Sequence, residues 1–235
     1  MKMDTQILKE LVTMTGAVKE NTMTVYQDED GWRIEYLDPS HIQTMRLRIP
    51  SDKMEGYEPG EAFGMSTEKL AKALNVCGDT VEIKVGSGIA MCSGRVRMTI
   101  PKYDIGEAVK WPPLEDFTSS CVVSSDVLRA MSDASPDEAD SVSIAISDAG
   151  LSLASTNDTA TASAVIDVPD GEGAVCQGDA TGRYAWLAIR TFLKGLPKGT
   201  ELNIDMAINY PLSVTFVTGA GLRGEWLLAP WIVEE

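Results

Sequence analysis

An α+β fold of two similar domains, each with helices packed on antiparallel sheets, is what this sequence predicts, and three observations lead there. Amphipathic helical segments are separated by stretches of two-residue alternation that end in turn residues. The same order begins again near residue 120, and one shift of 119 positions lays the second run on the first. Self-similarity of that kind marks a duplicated unit. The 235 residues are 44% hydrophobic and 23% charged, enough for two domains with their own cores and unlike a disordered, fibrous or membrane chain.

Each element has its own signal. Over 5–18, Ile7, Leu8, Leu11, Val12, Thr13 and Met14 recur at helical spacing, with Lys9 and Glu10 off the stripe. Met23 and Val25, then Trp32, Ile34 and Tyr36, alternate around Asp28-Glu29-Asp30-Gly31, which predicts a hairpin. Ser66 is the N-cap of a helix over 66–76 that carries Leu70, Ala71, Ala73 and Leu74 and ends at Cys77-Gly78. Val81, Ile83 and Val85 lead into a Gly86-Ser87-Gly88 turn, and strands follow over 89–93 and 96–100. In the second half a helix is predicted over 125–134, a hairpin around Asp148-Ala149-Gly150, and a helix over 182–195. The shift carries Gly31 onto Gly150, Leu8 onto Val127, Leu70 onto Ile189 and Leu74 onto Leu193. Between the halves, Pro112-Pro113 forbids regular structure and predicts an extended, stiff linker.

Acidic residues outnumber basic ones 35 to 20, for a net charge of −15, so most of the surface repels nucleic acid and anionic membranes. The four predicted helices reverse that balance. They carry Lys9, Lys69, Lys72, Arg129, Arg183, Arg190 and Lys194 against Glu10, Glu68, Asp126 and Asp133. If they share one concave wall, it suits phosphates, which lie about one charge per 1.7 Å along duplex DNA. With no zinc-finger spacing or basic heptad in the chain, such contact is sequence-neutral.

Cys77, Cys92, Cys121 and Cys176 are 15, 29 and 55 positions apart, which fits no structural zinc site. They read as small buried hydrophobes in a reducing compartment. Charges at Lys2, Asp4, Lys9 and Glu10 stand where a signal segment needs apolar residues, and the longest charge-free run, 206–222, is broken by Asn209, Pro211, Gly219 and Gly221. The expectation is a cytoplasmic protein with no membrane contact.

Particular motifs carry a family resemblance. Leu37-Asp38-Pro39-Ser40-His41-Ile42, followed by Met45, Leu47 and Ile49, resembles the Asp-x-Ser-His-Val/Ile short-strand motif of the PCNA-type DNA sliding clamps of archaea and eukaryotes. Met54-Glu55-Gly56-Tyr57, Gly64 and the Leu70 helix resemble that family's next block. Tyr210-Pro211-Leu212 and Leu227-Leu228-Ala229-Pro230-Trp231-Ile232, ahead of Glu234-Glu235, resemble its carboxy-terminal signature.

The resemblance implies the DNA-clamp fold, with clamp domains over 1–105 and 119–235, a linker over 106–118, and a head-to-tail homotrimer closed around duplex DNA. Edge strands over 96–102 and 160–166 then form the subunit interface through Val96, Met98 and Ile100 and through Thr161, Ser163 and Val165. Lys9, Lys72, Arg129, Arg183 and Arg190 match channel-lining positions, and the charge balance adds Lys69 and Lys194. Glu10, Asn75 and Ser132 stand where the family is often basic. A hydrophobic pocket of Leu37, Ile42, Leu114, Pro211, Leu227, Ala229 and Pro230, with His41 as a strand residue at its edge, is implied for short peptide motifs of DNA polymerase, flap endonuclease, DNA ligase and a clamp loader. Trp111 in the linker is unusual for the family. The resemblance implies no cofactor, no metal and no catalytic residue. Asp38, Ser40 and His41 have the residue types of a triad, but near neighbours on one strand do not converge. The rival readings are one subunit of a heterotrimeric replication or checkpoint clamp, and a hydrolase with an unrecognised nucleophile.

Overall fold

In the computed structural model, which describes residues 1–17, 21–38, 40–105, 111–135, 139–156 and 162–231, strand β1 (Lys2–Asp4) runs directly into helix α1 (Thr5–Ala17). There follow β2 (Thr22–Asp28), β3 (Gly31–Leu37), β4 (Gln43–Pro50), the two-residue β5 (Met54–Glu55), β6 (Gly60–Ser66) and α2 (Thr67–Leu74). A meander of β7 (Thr80–Val85), β8 (Gly88–Ser93) and β9 (Val96–Pro101) completes this run. Residues 111–118 hold neither helix nor strand, as the paired prolines require. The order then repeats as β10 (Ser119–Ser124), α3 (Ser125–Ala134), β11 (Ser141–Ser147), β12 (Gly150–Thr156), β13 (Ala162–Pro169), β14 (Ala174–Gln177), β15 (Ala180–Ala185), α4 (Trp186–Gly195), β16 (Glu201–Met206), β17 (Leu212–Val217) and β18 (Arg223–Leu228).

The duplication extends to single atoms. Gly31 and Gly150 open equivalent strands at φ of +130° and +132°. A Cβ on Gly31 would stand 2.1 Å from the Ile49 carbonyl oxygen, and one on Gly150 would stand 2.2 Å from that of Val168. Only glycine fits either place. Alanine at Gly31 or Gly150 is expected to destabilise the chain by about 2–4 kcal/mol in urea unfolding. Helix starts repeat as well: the amides of Thr5 and Ser125 donate to the carbonyls of Asp79 and Thr200, and those of Thr67 and Trp186 to Asn21 and Asp140, all at 2.8–3.0 Å. The shift of 119 holds for α2 onto α4, whereas α1 maps onto α3 with 120, so the buried Leu8 matches Leu128 and not the half-exposed Val127.

Among the described residues each run builds two sheets, and one sheet joins the runs. The order β5-β1-β7-β8-β9 forms a five-stranded sheet and β13-β12-β11-β15 a four-stranded one. The third, β14-β10-β16-β17-β18-β4-β3-β2-β6, has nine strands, because β18 pairs antiparallel with β4 across the two halves. The strands equivalent to β18 and β4 are β9 and β13, and both stand at sheet edges. The expected edge over 160–166 lies in fact at residues 162–169, because Val165–Pro169 continue the ladder with β12.

Helix α1 buries Ile7, Leu8, Leu11 and Met14, each contributing roughly 1.5–3 kcal/mol. Its polar pattern departs from the sequence expectation. Thr13 is exposed and returns its hydroxyl to the Lys9 carbonyl at 2.8 Å, while Thr15 is buried and bonds that of Leu11 at 3.0 Å. Glu10 is buried too, because its carboxylate accepts from the hydroxyl of Thr218 in the β17–β18 turn, and that hydroxyl accepts from the Leu222 amide at 3.1 Å. Valine at Thr218 leaves two buried polar groups unpaired, so a loss of about 1–3 kcal/mol is expected in thermal or urea unfolding.

Candidate nucleic-acid and peptide interfaces

The helices pack side by side, α2 and α4 each against α1 and α3 against α4. Apolar faces turn to the sheets and polar faces outward. Lys9, Lys69, Lys72 and Lys194 are all exposed. Lys72 pairs with Glu68 one turn earlier, and that hydrogen bond holds the Glu68 carboxyl below its usual range. Lys69 donates to the Tyr103 hydroxyl at 3.0 Å. Arg190 is half-buried and borders a groove of about 580 Å³ between α3 and α4, with Arg129, Lys194 and Lys198 on the same lining. Lys198 escapes a helix-by-helix charge reading because it follows Pro197, beyond the end of α4.

Two residues of the expected basic face have other work. Arg129 donates to the carbonyls of Leu193 and Leu196 at 2.7 and 2.5 Å. A cation there satisfies the open end of α4 and complements its dipole. Arg183 is not on a helix: it sits in β15, its Nε donates to the Ser141 hydroxyl at 2.6 Å, and its carbonyl accepts from the Trp231 amide. The helix starts only at Trp186. Asn75 is exposed and Ser132 half-exposed, but Glu10 faces the β17–β18 turn and is absent from this surface.

The expected pocket residues gather where β18 meets β4. The Ala229 amide donates to the Ile42 carbonyl at 2.8 Å, which carries the β18 ladder one step past Leu228↔Gln43. Pro211 precedes β17, whose Leu212 lies opposite Leu228. Leu37 and Ile42 are exposed, Pro211, Ala229 and Pro230 half-buried, and Leu227 buried. His41 is not a strand residue. It lies in the β3–β4 turn at φ +58°, where its amide donates to the Asp38 carbonyl and the Asp38 carboxylate accepts from the Ser40 amide. Residues 111–118 are fixed at both ends. The Trp111 ring lies 4.2 Å from the Arg46 guanidinium, and Phe117 meets Tyr210 edge-on at 5.4 Å. Half-buried Leu114 stands between these anchors in sequence. Ile208 and Trp231, exposed by 65% and 42%, enlarge the apolar surface; sequence reading omits Ile208 because the turn that presents it has no periodicity.

Beneath Trp111 runs a ladder of charge. Arg33 and Arg46 both reach Glu35, at 2.7 and 2.9 Å, and Arg46 also reaches Glu225 at 3.7 Å. Burial raises the Glu225 carboxyl, while Arg46 and a hydrogen bond from Trp111 pull it back. At the open edges, Val96 and Met98 are half-buried, Ile100 is buried and Val165 is exposed. Ser163 lies within β13, and Thr161 lies outside the described residues, as do Pro39, Ile232, Glu234 and Glu235 of the family motifs.

No protein-family model matches the chain. It is 23% identical over 215 residues to the DNA polymerase sliding clamp of Thermoplasma acidophilum, covering 86% of this chain and 87% of that protein. To the sliding clamp of Pyrococcus furiosus it is 27% identical over 220 residues, covering 88% and 87%. Among solved structures, PCNA of A. fulgidus bound to the C-terminal region of FEN-1 matches with a TM-score of 0.86 at 21% identity, over 100% of this chain and 98% of that one. PCNA of Entamoeba histolytica matches with a TM-score of 0.83 at 19% identity, over 98% of each chain. The chain thus has the fold of the PCNA-type DNA sliding clamps and is similar to them in sequence along nearly its whole length.

Proposed function

We propose that three copies of this chain close head to tail around duplex DNA and tether enzymes of replication to it, acting as a mobile anchor and not as a catalyst. The reading rests chiefly on the two open edges. Within one chain, β18 and β4 pair antiparallel with Trp226 opposite Met45. Met98 is the counterpart of Trp226, since each lies across from a buried residue of the preceding strand, Met91 or Val214. Ala164 is the counterpart of Met45 at the shift of 119. A second copy that repeats this pairing sets Met98 opposite Ala164, Val96 opposite Ile166 and Arg97 opposite Val165. Unpaired edges invite such an addition, and like contacts continued around a rotation close a ring. Clamp domains over 1–105 and 119–235, with the linker over 106–118, then give six similar units per ring.

The register has a direct test. Arginine at Val165 sets two guanidinium groups face to face, which is expected to weaken each contact by about 1 kcal/mol, roughly five-fold, in analytical ultracentrifugation. Adding Arg97→Glu restores it. A trimer indifferent to both changes would overturn the register. A second reading is kept by the match, with a TM-score of 0.79, to a PCNA2-PCNA3 complex of Sulfolobus tokodaii, a clamp made of different chains. In that case the purified chain alone does not form a trimer.

Inside the ring, Lys9, Lys69, Lys72, Arg190, Lys194 and Lys198 face phosphate. Each phosphate neutralised contributes about 0.9 to the slope of log affinity against log salt. Replacing Lys9, Lys194 and Lys198 by alanine is therefore expected to flatten that slope by roughly 3 per protomer, for clamps loaded on nicked circular DNA. On the outer face, the apolar surface from Leu37 to Trp231 takes short hydrophobic motifs of DNA polymerase, flap endonuclease, DNA ligase and a clamp loader. The compartment is the one that holds the DNA, here the cytoplasm.

A further inference from the structure

Cys121 in β10 and Cys176 in β14 lie directly opposite one another in the antiparallel ladder. Their sulfurs are 2.6 Å apart, well inside the separation of two unbonded sulfur atoms, while both thiols are free. Facing residues of adjacent strands have the Cα spacing that a disulfide spans. In the first half the pair Met3↔Met54 answers to Val123↔Ala174 at the shift of 120, so the counterparts of Cys121 and Cys176 are Met1 and Gly56 and the fold itself calls for no sulfur pair there. The sequence expectation of four unrelated buried thiols holds no account of this pair. Strand β14 is the outermost strand of the nine-stranded sheet and pairs there with β10 alone.

We propose that Cys121 and Cys176 are a dithiol site that closes to an intrachain disulfide and pins β14 to β10. The inference is independent of the ring. Cys176 is half-exposed, and its amide is held by the Asp170 carboxylate at 2.8 Å, whereas Cys121 is fully buried. Burial also pushes the Cys121 thiol up, so the outer cysteine reacts first. With a low-molecular-weight disulfide as oxidant, the Cys176 thiolate attacks one of its sulfurs, forming a mixed disulfide and releasing one small thiol. Cys121 then gives up its proton and attacks the Cys176 sulfur, and the second small thiol leaves with that proton. The two cysteines lose two electrons in total, and the oxidant gains them.

The test uses the full-length protein, first reduced and then equilibrated with oxidised glutathione. Trapping with an alkylating reagent in denaturant should label four cysteines before oxidation and two after it. The oxidised chain should be lighter by two hydrogens, with a single crosslinked peptide joining the segments that contain Cys121 and Cys176. The link closes a long loop, so the oxidised form should melt roughly 5–10 °C higher than the reduced one. In Cys176→Ser, a conservative change at a half-exposed edge position, that difference should vanish. Four alkylated cysteines after oxidation, a glutathione adduct that stops on Cys176, or a crosslink through Cys77 or Cys92 would each overturn the proposal, as would equal melting of the two forms.

Discussion

Aspartate at Ile166 is expected to turn the proposed three-copy assembly into folded monomers. In the isolated chain Ile166 is half-buried on β13 and packs on the core from an open edge, so a carboxylate there still reaches water. Against a second copy, opposite Val96, it loses that water and gains no partner. An unpaired polar group of this kind costs on the order of 2–4 kcal/mol, or about 30- to 1,000-fold at each contact. The ring needs all of its contacts at once, so the effect compounds. Light scattering after size exclusion should give the mass of one chain, with circular dichroism and melting close to the parent. A variant that still elutes as a trimer would refute the β9–β13 pairing, and one that unfolds would move the question to Val96→Asp on the opposite strand.

Aspartate at Ile42 is expected to abolish capture of hydrophobic peptide motifs while leaving the ring whole. Ile42 is 43% exposed, and its carbonyl, not its side chain, ties it to Ala229, so the fold loses little. Central apolar anchors of peptide sites are worth about 2–4 kcal/mol each, which predicts a fall in affinity of 30- to 1,000-fold in calorimetry with a peptide carrying an apolar and an aromatic anchor. Aspartate at Val217, exposed as well but on the far end of β17, is the control. Equal binding by both variants would remove the Leu37–Trp231 surface as the docking site.

Much of this was legible in the chain itself. The hairpin around Asp28–Gly31 and its copy around Asp148–Gly150 declare themselves, because glycine alone enters those strands. Helix α2 announces its start through Ser66, whose hydroxyl accepts from the Lys69 amide at 3.2 Å. Helix α4 does not: its N-cap is Ala185, with no side-chain bond, and its first amide donates to the carbonyl of Asp140, just ahead of β11. That is why Arg183 reads as helical when it is a strand residue. The burial of Glu10 depends on Thr218, 208 positions away, and the meeting of Cys121 and Cys176 on a ladder register. Neither leaves a local trace. The joining of β18 to β4 is likewise a tertiary event, and the pairing logic of the open edges follows from it.

That joining has a mechanical consequence. Because one sheet passes unbroken between the halves, braced by Arg46 to Glu225 on one face and Glu10 to Thr218 on the other, a protomer bends as a single plate. In the ring proposed above, the joints between copies have no covalent connection of this kind, so a force applied to the annulus is expected to part it between subunits and not within one.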